Sequence, residues 1–252
     1  MGRTTKLVLD IVIGAVIPIV VLNYLTEPLG AVPAYLLAAL IPVAWVFIDL
    51  LFITRRFNFI TSYTGAQAIM RGLLAFWFVD GWQFALKDTA GSILACLVFA
   101  VSIGLGRPMM ELFWRQSLAP DTAAREEALN AITAERGLRT ALAWGTAAIL
   151  VANIGTAVAN FVLNLNIVTD PFGTDVFNQQ VARVNAITRI ALTIPELIAF
   201  GVAFWLLWNA ISKVLKRDMS GQTMDDSDDF WKILEDWRAV SQGRQREPVE
   251  SA

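Results

Sequence analysis

Residues 31–54 read AVPAYLLAALIPVAWVFIDLLFIT, and Asp49 is the one charged residue among them. A helix needs about 20 predominantly apolar residues to cross the hydrocarbon core of a bilayer. This stretch supplies them and is stopped by Arg55-Arg56. Five other stretches have the same character: 7–25, 59–79, 89–105, 140–165 and 184–211. The Thr26-Glu27-Pro28-Leu29-Gly30 turn ends the first, Asp80-Gly81 the third and Gly106-Arg107-Pro108 the fourth. Lys213, Lys216 and Arg217 end the sixth. The expected fold is all-α, a polytopic bundle of six transmembrane helices.

The composition agrees. Of 252 residues, 56% are hydrophobic and 17% charged, whereas a soluble domain carries about 25% charged residues. A soluble enzyme is excluded. The basic start Met1-Gly2-Arg3-Thr4-Thr5-Lys6 resembles a secretory signal, but Pro18 interrupts the apolar stretch and no small-x-small cleavage site follows. It is read as a retained first span. Residues 1–217 then form the transmembrane domain, with a helical cytoplasmic loop over 106–139, and residues 218–252 form an acidic tail.

Orientation follows from the placement of Lys and Arg. Residues 1–6, 55–58, 106–139 and 213–252 hold 16 of the 20, which puts both termini in the cytoplasm. Trp77 and Trp82 mark one membrane face, and Trp114, Trp144 and Trp208 the other.

Much chemistry is missing from the sequence. With no histidine, His-ligated metals and Ser–His–Asp catalysis have no ligand or base. Cys96 is the single cysteine and lies in an apolar stretch, where a thiol is ordinarily inert. A net charge of −2 gives no basic face for nucleic acid. There is no Walker loop, GxGxxG turn or EF-hand loop. No cofactor, no metal and no catalytic residue are expected.

Charged residues inside the spans are the first candidates for function. Arg71 and Glu196 each fall near the middle of a span, where a charge is costly and normally pairs or faces water. A structural ion pair between the third and sixth helices is the simpler reading, and an ion or proton pathway is the alternative. Pro195 beside Glu196 frees a backbone carbonyl and favours a bend there. Asp10 and Asp49, toward the inner ends of the first two spans, have Lys6 and Arg55-Arg56 nearby and are read as an interfacial clamp. Lys87 and Asp88 are read as outer-interface anchors.

The fifth span carries a stripe of small and polar residues. Ala148, Ala152, Thr156, Asn160 and Asn164 recur every four residues, with Asn153 beside them. Small residues let helices approach closely, and amides seek partners across helices. Tight packing within the chain is the first reading, and a homo-oligomer face or a polar cavity wall the others.

Two cytoplasmic segments are expected to be helical. Residues 121–136 combine an acidic start with good helix formers, and Gly137 is the expected stop. In the tail, Ser227 caps a helix over about 228–240. Phe230, Ile233, Leu234 and Trp237 fall on one apolar face, with Trp231 beside them. Residues 241–252 are expected to lack structure. From Asp218 to Asp236 there are seven acidic residues and one lysine, Lys232. A helix lying on an anionic leaflet is normally basic, so this one is expected to dock on protein. Another membrane or cytoplasmic protein would be the partner, or this chain's own Arg-bearing loop.

Leu86-Lys87-Asp88-Thr89, then a span, then Gly106-Arg107-Pro108-Met109-Met110 resembles the bacterial inner-membrane septation protein A family. There a Lys-x-Thr element opens a helix that ends in a Gly-Lys/Arg-Pro stop. Leu142-Ala143-Trp144 and the later Asn153 are similar to that family's next span. The likeness covers roughly residues 5–212, and Leu86 stands where the family tends to have Trp. It implies a multi-pass protein of the bacterial cytoplasmic membrane, linked to envelope synthesis and division, that acts through protein contacts. It carries no catalytic residues across.

A non-enzymatic scaffold or accessory subunit is therefore the first functional expectation. A small transporter or channel using Arg71 and Glu196 is the second. A membrane enzyme is a distant third, since Asp80, Asp88, Asp170 and Asp175 are scattered.

Overall fold

The computed structural model describes residues 3–54, 59–219 and 230–246, and every regular element among them is helical. In chain order these are α1 (Arg3–Ile11), a π-helical turn (Val12–Val16), α2 (Ile17–Tyr24), α3 (Thr26–Leu29) and α4 (Ala31–Ile48). A second π segment (Asp49–Thr54), α5 (Phe59–Ala75), α6 (Gly81–Gly104) and α7 (Met109–Leu118) follow. The chain continues through α8 (Ala123–Ala134), α9 (Arg136–Ile167), α10 (Asp175–Ala191), α11 (Thr193–Asp218) and α12 (Phe230–Arg246).

Four helical stretches are long and apolar enough to cross a membrane: Ala31–Ile53, Gly81–Gly104, Arg136–Ile167 and Asp175–Asp218. The expected first and third spans are shorter as helices. Val8–Tyr24 falls in the shorter apolar class, and α5 has 17 residues because the chain leaves the helix at Phe76. Seventeen residues at about 1.5 Å each cover about 26 Å, just under the ~30 Å hydrocarbon thickness.

Two compact units emerge, residues 1–98 with 150–197 and residues 99–149 with 198–252. In the first unit, α4 packs on α2 and α5, and α10 packs on α2. Lipid tails are as apolar as leucine, so close packing has to replace the hydrophobic drive. Ala34, Ala38 and Ala182 are buried where α2, α4 and α10 meet, and Gly72 of α5 lies against Val43 of α4. The rings of Phe84, Phe172 and Tyr35 gather about Phe177, with centroids 5.0, 5.3 and 6.1 Å from it. Buried Asn178 fastens α10 to the turn before α4, donating to Thr26 Oγ1 at 3.1 Å and to the Ala31 carbonyl at 2.8 Å. Residues 175–183, which sequence left as a loop, are thus the start of a helix. Thr174 caps it by accepting from Phe177 N at 3.1 Å.

In the second unit, Gly106-Arg107-Pro108 is a helix stop with a defined geometry. Gly106 has φ 67°. Arg107 N donates to the Ser102 carbonyl and Gly106 N to the Ile103 carbonyl, each at 3.0 Å. That double bond pattern is a Schellman closure. Pro108 then precedes α7, whose first N–H groups are taken by Ser102 Oγ at 3.2 Å and Thr146 Oγ1 at 3.1 Å. Arg115 ties α7 to α8 through Asn130 Oδ1 at 2.6 Å and Thr133 Oγ1 at 2.8 Å.

Two expected boundaries are corrected. The loop helix ends at Ala134, not at Gly137, because Glu135 adopts an extended ψ of 128°; Gly137 lies inside the first turn of α9. The tail helix extends through Arg246. Residues 241–246 (SQGRQR) consist mainly of good helix formers with no proline before Pro248, so nothing ends the helix where disorder was expected. The expected cap at Ser227, Asp228 and Asp229 lies outside the described residues.

α12 docks on α8. Leu234 is fully buried, Trp237 is 2% exposed, and its indole donates to Asp218 Oδ2 at 2.9 Å. Arg238 pairs with Glu127, and Arg125 stacks over the Trp231 ring at 5.4 Å.

Two consequences can be measured. Gly106→Ala forces a Cβ into the left-handed region and should lower stability by about 1–2 kcal/mol. Gly104→Ala, in a helical backbone with open space around it, should be neutral or stabilising; thermal unfolding in detergent compares them. Trp237→Ala should cost about 3–5 kcal/mol locally, against ~0.2–1 kcal/mol for each exposed ion pair. Trypsin should then cleave at Lys232 and Arg238 much faster than in the parent protein.

Candidate functional site

The first unit encloses a polar cavity of about 460 Å³ among its own helices α2, α4, α5, α6, α9, α10 and the start of α11. Five charged residues line it: Arg71, Lys87, Asp88, Arg189 and Glu196. Each arrives there for a local reason.

Arg189 belongs to α10 and reaches the π turn before α2. Pro18 lacks an N–H, so it gives nothing to the carbonyl of Gly14 four residues earlier. Arg189 Nη2 donates to that carbonyl at 2.8 Å. The π-helical turn at Val12–Val16 lies at the same place, as such turns often do beside functional sites. Arg71 belongs to α5, and its guanidinium lies flat against α6 where Gly91 has no side chain; a Cβ there would come within 3.2 Å of Nη2. Lys87 is 7% exposed, donates to the Trp77 carbonyl at 2.5 Å, and sits 4.9 Å from the centre of the Tyr35 ring.

The two carboxylates are held by α9. Asp88 Oδ2 accepts from Asn160 Nδ2 at 3.0 Å and from Asn164 Nδ2 at 2.9 Å. Glu196 Oε1 accepts from Thr156 Oγ1 at 3.4 Å, a long contact. The polar part of the four-residue stripe therefore faces charged groups: Thr156 and Asn160 line the cavity and Asn164 braces Asp88. Ala148 and Ala152, farther along α9, are half-buried, and Asn153 accepts through its backbone from Thr156.

Arg71 and Glu196 share the cavity, yet no ion pair within 4.0 Å joins them among the described residues. Asp10 accepts from Trp45 Nε1 at 2.8 Å, and the side chain of Lys6, its expected partner, lies outside the described residues. Asp49 opens the second π segment, and Arg55-Arg56 lie outside the described residues. Thr89 turns back on its own helix, donating to the Ala85 carbonyl at 2.7 Å. Trp144 is 65% exposed and lines a separate groove in the second unit with Lys213 and Arg217. Arg107 and Pro108 serve the helix stop. Of the tail residues, Phe230, Trp231 and Ile233 are half-buried and Leu234 and Trp237 buried, so the chain's own loop fills the face expected to seek a partner.

Sequence reading treated Lys87 and Asp88 as interface anchors and did not single out Arg189. The available signal was Pro18: a proline in an apolar helix leaves a carbonyl for some other donor, and Arg189 is one of four basic residues outside the segments expected to be cytoplasmic.

If Asn164 braces an ionised Asp88, Asn164→Ala should cost about 1.5–3 kcal/mol, the range for hydrogen bonds to charged groups. The same change in an Asp88→Asn background should cost clearly less; strict additivity in thermal unfolding would refute the bond. In comparisons with known proteins, the chain matches no family model, no curated protein and no solved structure, so the chemistry of the cavity rests on its own residues.

Proposed function

We propose that the chain is a multi-pass membrane protein that holds a small charged solute in the cavity of its first unit, as a transporter or channel does. The observation that carries this is the convergence of Arg71, Lys87, Asp88, Arg189 and Glu196 on one cavity. Charges inside apolar helices ordinarily mark a solute or ion path. Interrupted helices beside them support the same reading. The first span carries a π turn before Pro18, and a single turn residue, Leu192, separates α10 from α11 ahead of Pro195.

We read Val8–Tyr24 and α5 as two further spans, giving six, with both termini in the cytoplasm of a bacterial cell. The Lys and Arg asymmetry supports that orientation, and the resemblance around residues 86–89 and 106–110 supports the inner membrane. A scaffold role loses one of its three supports, the tail as a dock for another protein, because α8 occupies that tail's apolar face; the missing catalytic groups and the resemblance remain. The work assigned to the protein is binding and passage, with no covalent step.

Reconstituted into proteoliposomes, the protein should give solute-evoked currents on a supported membrane for at least one of carboxylates, phosphate, amino acids or organic cations. Arg71→Gln should reduce them at least about tenfold, the equivalent of one charge-assisted hydrogen bond. A chain ending at residue 217 should retain them. Silence across the whole panel, or currents indifferent to Arg71→Gln, would return the weight to a scaffold.

A further inference from the structure

The charges of the cavity do not cancel. Three cations face two carboxylates; Asp88 already has protein donors in the amides of Asn160 and Asn164, while Glu196 has a long 3.4 Å contact with the Thr156 hydroxyl. The cations lack matching acceptors. Among the described residues no carboxylate lies within 4.0 Å of Arg71, Lys87 or Arg189. Lys87 spends one N–H on the Trp77 carbonyl, Arg189 spends one on the Gly14 carbonyl, and no hydrogen bond from Arg71 is found among the described residues. Arg71 lies near enough to Arg189 for the two positive charges to repel, and Asp88 near enough to Arg189 and Lys87 to offset part of that repulsion.

Like charges in one cavity repel, and with three cations to two carboxylates the wall relieves this only in part. An anion would relieve it. One negative charge brings the cavity to neutrality, and the planar guanidinium fork matches the paired oxygens of carboxylate and phosphate. Gln67, Ser92, Asn185 and Thr188 add neutral donors to the same wall.

We propose that this cavity binds a singly charged oxyanion, with Arg71 and Arg189 as the clamp and Lys87 as a fixed positive charge behind it. This rests on reading the cavity as a solute site and specifies what it takes. A phosphodiester headgroup from the bilayer and a soluble carboxylate or phosphate offer the same chemistry, and the test separates them.

The full-length protein, purified in a non-ionic detergent, is titrated at constant ionic strength while its melting temperature is followed. The soluble probes are acetate and inorganic phosphate. The lipid probes are mixed micelles of phosphatidylglycerol or of zwitterionic phosphatidylcholine. A saturable rise with acetate or phosphate assigns a soluble oxyanion; one with phosphatidylglycerol and not phosphatidylcholine assigns a lipid headgroup.

In either case Arg71→Gln and Arg189→Gln should each raise the apparent Kd about tenfold or more. Glu196→Gln, which removes a negative charge, should lower it. That gain decides the matter if an arginine variant fails to fold, since a merely structural role predicts no tightening. No saturable response to any oxyanion, or a Kd unmoved by all three variants, overturns the proposal. Saturation by tetramethylammonium instead, lost in Glu196→Gln, also overturns it while leaving the cavity a solute site. Silence toward both signs of charge removes both readings.

Discussion

The carbonyl of Gly14 has no donor at Pro18, and in apolar surroundings an unpaired carbonyl costs several kcal/mol (about 2–7, depending on the reference state). Arg189 supplies the donor from a helix 175 positions along the chain. That single bond joins the π turn before α2 to α10 and brings a guanidinium to the cavity. The rest of the cavity accommodates the other charges. Gly91 leaves room for Arg71, Tyr35 offers a ring face to Lys87, and Asn160 with Asn164 replace the water that Asp88 would otherwise need. Arg71 has no hydrogen bond among the described residues, and the sum of the five charges is left positive.

The second unit handles its charges in another way. Among its ion pairs, Arg115 with Glu111, Arg125 with Glu235 and Arg217 with Glu135 sit where water can reach them, while Asp218, paired with Arg217, is buried. Such pairs contribute little individually. What fixes α12 is the burial of Leu234 and Trp237. Around them Arg125 of α8 meets Glu235, and Arg238 of α12 meets Glu127. The apolar face that suggested docking on protein is taken up by this chain's own α8.

Fold class and most helices were legible because apolar length and Lys/Arg stops are local signals. Gly106-Arg107-Pro108 was recognised as a stop from residue type alone, and the backbone shows why: a left-handed glycine, two closing bonds, then a residue with no N–H. Boundaries set by a single backbone angle were not legible. Nothing in the composition around Gly137 reveals that Glu135, two residues earlier, turns extended. The helical start of α10 was hidden because Asn178, Gln179, Gln180 and Arg183 look like a loop until Phe177, Val181 and Ala182 are seen to make one face. For the site, Arg71 and Glu196 stood out as charges in apolar stretches, as did the Thr156, Asn160 and Asn164 register. Arg189 did not, since its role depends on a proline in a distant span.

That dependence bears on how such a cavity acquires selectivity. A buried arginine paired with a carboxylate is neutral and indifferent to solutes of either sign. Here Asp88 is taken up by amide donors on α9, Arg189 by a backbone carbonyl, and Arg71 lies beside a glycine. None of those partners carries a formal charge. Most of the N–H donors of the two arginines are left over along with the charge. On the proposed reading as a solute site, a neutral solute would gain hydrogen bonds alone, and a charged one the uncompensated field as well. Selectivity for charge would then follow from pairing Asp88 with amides instead of with the cations beside it.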